Sequence, residues 1–151
     1  KEELKLRFEL AMEMSEKIGV PLDDLELGVR ITKDLLDKEK KFVTELVKKW
    51  GKPDLLEVWN DKFFYFIFKY EFNFVDASGK ASALATDKID VENGERYNIR
   101  CMDKDGQRKQ PVILHLSPSG TIERVLWALL EKAFLDQKKG KQATLPLCLF
   151  C

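Results

Sequence analysis

The chain has 151 residues, 44% of them apolar and 34% charged, with 26 Lys and Arg balanced by 26 Asp and Glu. That is the make-up of one globular domain able to bury a core; it excludes a disordered chain, and the neutral balance excludes an autonomous polyanion binder, which needs surplus cations. No apolar run approaches a membrane span and no signal peptide opens the chain, so the three cysteines are expected as reduced thiols of a cytoplasmic protein.

Leu4, Phe8, Met12 and Ser15, with Leu6, Leu10 and Met14 beside them, set a helical stripe from the first residues. A start inside a helix pattern suggests an interior point of a longer protein. Gly19 and Pro21 end the helix. Leu25 to Thr32 alternates apolar and polar, the mark of a half-buried strand. Residues 34 to 50 return to helical spacing through Leu35, Phe42, Val43, Leu46 and Val47, and Gly51 and Pro53 close them.

The strongest strand signal is Phe63 to Val75. One face carries Phe64, Phe66, Phe68, Tyr70, Phe72 and Phe74; the other carries Phe63, Tyr65, Ile67, Lys69, Glu71 and Asn73. A turn at Ala77 to Lys80 leads to a strand over about 82–91. Arg100 to Asp103 is expected to pair, across the turn Lys104-Asp105-Gly106, with Pro111 to Ser117. From Ser119 to about Lys138 a helix presents Ile122, Val125, Leu126, Leu129, Leu130, Ala133 and Phe134 as a core-facing stripe. The fold class is therefore α+β, an antiparallel β-sheet flanked by helices. Residues 1–141 form the domain and 142–151 a truncated linker or tail.

Two arrangements could carry chemistry. Between Pro111 and Arg124 a strand passes through His115 and opens a helix with Arg124 in its first turn. Arg124 lies about 200° around the helix from Ile122, away from the stripe. Such a terminus is either a capped helix with a solvated arginine or a phosphate grip made by the helix dipole and a bidentate guanidinium. Parity supplies the second arrangement. Lys69 and Glu71 lie opposite the aromatic face, Thr86, Lys88 and Asp90 share a face of the next strand, and His115 and Ser117 share a face of a third. Three strands offering polar groups to one side make either a solvated sheet or the floor of a cleft. His115, the only histidine, has no second ligand at metal-site spacing. Cys148 and Cys151 form a Cys-x-x-Cys pair with no second pair, and Cys101 stands alone.

The stretch from Lys69 to Phe134 resembles the end of the catalytic core of threonyl-tRNA synthetases, especially the archaeal form. The residues that carry the likeness are Asp90-Val91-Glu92-Asn93, Glu95-Arg96-Tyr97, Pro111-Val112-Ile113-Leu114-His115 and Ser119-Gly120-Thr121-Ile122-Glu123-Arg124. Gly120 to Arg124 corresponds to the third signature motif of class II synthetases. The likeness is close over 66–134 and loose over the rest.

The resemblance implies ATP-dependent activation of threonine, with Mg2+, and transfer to tRNA held by domains outside this stretch, in an enzyme that is a homodimer when intact. It implies that Arg124 is the catalytic arginine on ATP phosphate, and that Gly120, Thr121, Thr86 and Lys88 border the ATP site. Gly120 would let the adenine approach closely. It further implies that Lys69 faces the substrate and that His115 is one of three ligands to a zinc ion that reads the threonine hydroxyl. His115 and Arg124 are then expected to share one cavity. The other two zinc ligands and the first two class II motifs have no counterpart in these residues, so neither aminoacylation nor zinc uptake is expected of this chain alone, and its uncovered sheet is expected to self-associate.

The chain departs from the family at Thr86-Asp87-Lys88, where a Thr-Val-Gln run is common, and at Ala83, where bacterial members carry glutamine. Replacing an amide by an ammonium is not conservative. Lys88 and the divergent ending support an alternative, a catalytically dead synthetase-like paralogue acting as a protein-binding module. A metal or redox protein built on Cys148 and Cys151 is the third reading.

Overall fold

The computed structural model describes residues 1–62 and 64–142. Helix α1 (Glu2–Lys17) buries Leu4, Phe8, Ala11 and Ser15, the i, i+4, i+7, i+11 positions of a single face. The chain then turns through Gly19, at φ +88°, and a short 3-10 turn (Leu22–Asp24) into strand β1 (Leu25–Thr32). Helix α2 (Lys33–Trp50) buries Phe42, Val43, Leu46 and Trp50, and Gly51 caps it in the left-handed conformation at φ +77°, where a glycine carries no Cβ penalty.

The next strands are β2 (Asp54–Trp59), β3 (Phe66–Val75) and β4 (Ala81–Asp90). A one-turn helix α3 (Asn93–Arg96), two short strands β5 (Cys101–Met102) and β6 (Arg108–Lys109), strand β7 (Ile113–Ser117) and helix α4 (Ile122–Lys138) complete the order.

The main sheet runs β2-β1-β3-β4-β7. Its β1–β2 pairing is parallel and the other three are antiparallel, so the α+β class holds with a mixed sheet. The parallel strand β2 is absent from the sequence reading: six residues between Pro53 and Asn60 are too short for a period to show. Strand β3 alternates as expected, with Phe66, Phe68, Tyr70, Phe72 and Phe74 buried. Phe64 is half exposed and lies before the strand. These rings pack against α1 and α2: Phe8 meets Tyr70 and Phe72 edge-on at centroid distances of 4.9 and 5.3 Å, and Trp50 stacks on Phe72 at 5.0 Å.

Two expectations are corrected. Residues 101–102 pair with 108–109 in a separate two-stranded sheet, not with 111–117. The Asp103 carboxylate accepts hydrogen bonds from the backbone N–H groups of Asp105 and Gln107, both at 2.9 Å, and so closes a tight local hairpin. That leaves β7 free to join the edge of the main sheet beside β4.

The second correction concerns α4, where Val125 and Leu129 of the expected stripe meet the core but the rest of its large residues face outward. Ile122, Leu126, Leu130 and Phe134 are exposed, Ile122 at 77%, while Ala128 and Leu129 are buried. The helix is apolar over a wide arc and the sheet covers only one flank of it. Trp127 sits edge-on to Phe74 at 5.6 Å, Lys132 reaches Asp24 at 3.0 Å, and Glu131 accepts the Ala77 N–H at 3.1 Å; together they hold the helix in that rotation. Among the described residues no helix is long and apolar enough to cross a membrane. The ending that holds Cys148 and Cys151 lies outside the described residues.

Candidate functional site

The core residues of β1, β3 and β4 share one cluster with buried residues of α1, α2 and α4. The side chains of opposite parity form the other face of the sheet. Strand register sets a row across that face: Glu57 on β2 lies opposite Arg30 on β1, Arg30 opposite Lys69 on β3, Lys69 opposite Lys88 on β4, and Lys88 opposite His115 on β7. The neighbouring row holds Gly28, Glu71, Thr86 and Ser117. Parity in the sequence thus brings Lys69, Glu71, Thr86, Lys88, His115 and Ser117 together.

The row is tied by ion pairs. Arg30 donates from Nε to Glu57 and from Nη1 to Glu71, both at 2.7 Å, and Lys69 is hydrogen-bonded to Glu71. Hydrogen bonds from Trp59 and Arg30 hold the Glu57 carboxyl below its usual range, and Glu57 in turn raises the Arg30 guanidinium. Among the described residues no carboxylate pairs with the Lys88 ammonium. Its Nζ donates to the Tyr65 hydroxyl at 3.1 Å and lies 5.6 and 5.8 Å from the centroids of the Tyr65 and Phe66 rings. A cleft of about 900 Å³ opens here, lined by Arg30, Glu57, Trp59, Tyr65, Lys69 and Lys88 among others. Arg30 and Glu57 are functional candidates that the sequence reading did not single out. The available signal was alternation, which sets Arg30 opposite in parity to the buried Val29 and Ile31.

At the end of the row, His115 Nε2 lies 2.7 Å from Asp90 Oδ2, with Asp90 fully buried. Asp90 also accepts from the backbone N–H groups of Glu92 and Asn93, both at 2.9 Å, and from the Asn93 side chain at 2.6 Å. Burial opposes its charge, but these hydrogen bonds outweigh it and hold the carboxyl at about 2. An ionised carboxylate can only accept, so Nε2 carries a proton, and in the neutral ring that leaves the lone pair on Nδ1. Among the described residues no group of three His, Cys, Asp or Glu side chains could hold a metal ion. A single imidazole does not make up the donor set of a zinc centre.

Thr121 caps α4, accepting from the Arg124 N–H at 3.4 Å. Gly120, at φ +87°, lies where an added Cβ would come within 2.7 Å of the Leu84 carbonyl oxygen, so the helix start rests directly on β4. Arg124 is exposed and donates from Nη1 to the Ala83 carbonyl at 2.8 Å. The cleft beside Lys69 and Lys88 is lined by neither His115 nor Arg124, and not by Thr86, Gly120 or Thr121. That cleft therefore does not join His115 to Arg124. His115 stands opposite Lys88, whereas Arg124 is fastened at Ala83; the β3 partners of these two positions, Lys69 and Asn73, are four residues apart, roughly 13 Å at strand rise. Asp87, one of the departures, faces the helices: fully buried, it accepts from Arg7 Nε at 2.8 Å and Nη2 at 3.2 Å.

No family model matches the chain. Over 148 residues, 98% of its length, it is 51% identical to a threonine–tRNA ligase from Nitrosopumilus maritimus. Over 149 residues, 99% of its length, it is 50% identical to one from Pyrococcus horikoshii. Its relatives are threonine–tRNA ligases. The chain spans about a quarter of the length of the curated relatives it matches, 24% in both cases. Among solved structures, one described as the RNA binding domain of threonyl-tRNA synthetase from Cryptosporidium parvum matches with a TM-score of 0.61 at 19% identity. That match covers 87% of this chain and 34% of the other, and it shows a shared fold. A match of 148 residues in 151 to a threonine–tRNA ligase takes in the whole run from Lys69 to Arg124.

Proposed function

We propose that this chain is a segment of a threonine–tRNA ligase, and that the open face of its sheet is one wall of the site where threonine is activated. The observation that carries the reading is the row Arg30, Lys69, Lys88 and His115, laid across four strands opposite the core. Activation joins the threonine carboxylate to the α-phosphate of ATP and releases pyrophosphate, so anionic oxygens crowd the site and Mg2+ accompanies the nucleotide. Cations preorganised on a rigid sheet stabilise such charge without reorganising during the reaction.

In this reading Lys69 faces the substrate. Arg124 is the phosphate-binding arginine: a guanidinium has five N–H donors, and the bond to Ala83 leaves donors for phosphate oxygens. Gly120 and Thr121 hold the helix start against β4, and Thr86 lies between that start and Lys88. The free Nδ1 of His115 offers a lone pair to the hydroxyl or ammonium of threonine, and a group that recognises the hydroxyl disfavours valine. In the intact ligase His115 would be one of three zinc ligands; the described residues do not supply the other two, so no step is routed through the metal. tRNA and the second subunit of a homodimer would be held by parts of the ligase beyond this segment.

The test replaces the matching segment of the Nitrosopumilus maritimus ligase with this chain and measures threonine-dependent ATP–pyrophosphate exchange. Exchange is expected in the chimera, with a loss of about a hundredfold on Lys69→Met or Arg124→Ala, the scale of removing one preorganised donor to a developing anion. A folded chimera without exchange, or one indifferent to both substitutions, overturns the reading.

A further inference from the structure

The β5–β6 hairpin forms a sheet of its own, and its charges are unevenly met. Met102 pairs with Arg108 across the ribbon, and Arg100, two residues before Met102, shares their face by alternation. Arg100, Met102 and Arg108, with Asn98 and Cys101, line a hollow of about 670 Å³, and all five are exposed. Nearby cations are already neutralised: Lys109 pairs with Asp103, and Arg96 with Glu92. Among the described residues no carboxylate pairs with Arg100, Lys104 or Arg108, and Asp105 in the turn meets none of the three. The lysines of α2, by contrast, are interleaved with Asp34, Asp37, Glu39 and Glu45.

Arg100 is set in place by the backbone before it. Asn98 lies in the left-handed region at φ +50°, which asparagine tolerates better than most residues, and its Oδ1 accepts from Arg100 Nε at 2.9 Å. The N–H groups of Asn98 and Ile99 donate to the Glu95 and Gly94 carbonyls at 2.9 and 2.8 Å and fasten this turn onto α3. A guanidinium has five N–H donors, so the bond to Asn98 leaves four on Arg100. Tyr97, one residue before Asn98, is 68% exposed and offers a ring face to solvent.

We infer that the β5–β6 hairpin is an RNA contact. Arg100 and Arg108 grip phosphate oxygens of the backbone with their planar forks, Lys104 adds a third cation, and Tyr97 stacks on a base. The choice of RNA among polyanions rests on the ligase reading, whereas the hollow shares no lining residue with the cleft on the open face. With 26 cations balanced by 26 anions, the chain has no surplus for an autonomous grip. The hairpin is therefore an accessory contact, added to a hold made elsewhere in the ligase.

Fluorescence anisotropy tests this with a labelled single-stranded RNA of about ten nucleotides, titrated with the 151-residue chain over a series of salt concentrations. Log affinity should fall against log salt with a slope of about −2, three phosphates at roughly −0.7 each. Arg100→Gln and Arg108→Gln should each weaken binding about tenfold at the lowest salt and reduce the slope by about 0.7. Tyr97→Ala should weaken it by about tenfold with the slope kept, and Lys38→Gln, exposed on α2, should change neither. A labelled oligoglutamate of equal length, with no bases to stack, should bind at least about tenfold more weakly. Backbone fingerprints report whether each variant is folded; Arg108→Lys, which keeps the charge and removes the fork, and Lys104→Gln stand in for any that is not. No saturable RNA binding at the lowest salt, equal losses from Lys38→Gln and Arg108→Gln, or oligoglutamate bound as well as RNA overturns the contact. The titration contains neither threonine nor ATP, so the two readings fail separately. RNA bound as expected beside a folded chimera without exchange sinks the activation site alone, and an active chimera beside a titration blind to the hairpin sinks this inference alone.

Discussion

Asp90 accepts four hydrogen bonds, from the N–H groups of Glu92 and Asn93, the Asn93 side chain and His115, so one buried carboxylate fixes both the turn after β4 and the tautomer of the only imidazole. Its folded pKa, about 2, lies below the roughly 4 of an unfolded aspartate. Its stabilisation is therefore complete above pH ~4 and is lost as pH falls through about 2, a contribution of about 2 kcal/mol. Urea unfolding of Asp90→Asn should show that deficit at pH 7 and a shrinking one toward pH 2; a deficit constant with pH would refute the assignment. The sequence places Asp90 beside Lys88 by parity, but its bond to His115 depends on β4 and β7 being neighbours. Gly120 is a similar case. The motif predicts a glycine for close approach, and in the fold the group approached is the Leu84 carbonyl.

Helix α4 shows where periodicity stops being informative. Its apolar positions span more than the sheet can cover, so the pattern identifies a helix without choosing which flank is buried. Leu129 and Leu130 are adjacent in sequence and differ in burial, 5% against 60% exposed. Leu129→Glu should then cost about 3 kcal/mol or more in thermal or urea unfolding, and Leu130→Glu about 0.5 kcal/mol or less. Comparable costs at the two positions would restore the stripe expected from the sequence, which holds both. Strand β2 is the opposite failure. It is an edge strand whose Leu55, Leu56 and Val58 are exposed, so it has no inward–outward alternation to read.

For the whole molecule, the sheet separates two jobs: one face packs on the helices and the other carries a charged row. The Arg7–Asp87 pair ties α1 to β4 from the packed side, and breaking a buried ion pair leaves an uncompensated charge. The departure at Asp87 thus belongs to the core, while the one at Lys88 belongs to the open face. Because the described residues contain no metal-binding group, isothermal titration of the chain alone should show no tight one-to-one uptake of zinc. Stoichiometric binding would mean that His115 finds ligands outside the described residues, and would return zinc to the site.

What the sequence determined by itself was whatever depends on neighbours a few residues apart: the helices, the aromatic strand, the glycine stops, and the parity that sets Lys69, Lys88 and His115 on one side. What only the tertiary structure decided was whatever depends on which strands adjoin. That includes the continuous row from Glu57 to His115, the carboxylate partners of Arg30 and Lys69, the seat of Arg124 on Ala83, and the rotation of α4. Side-chain direction alternates along a strand and so can be counted from residue numbers, whereas partners across a sheet are distant in the chain and are selected only when the core closes.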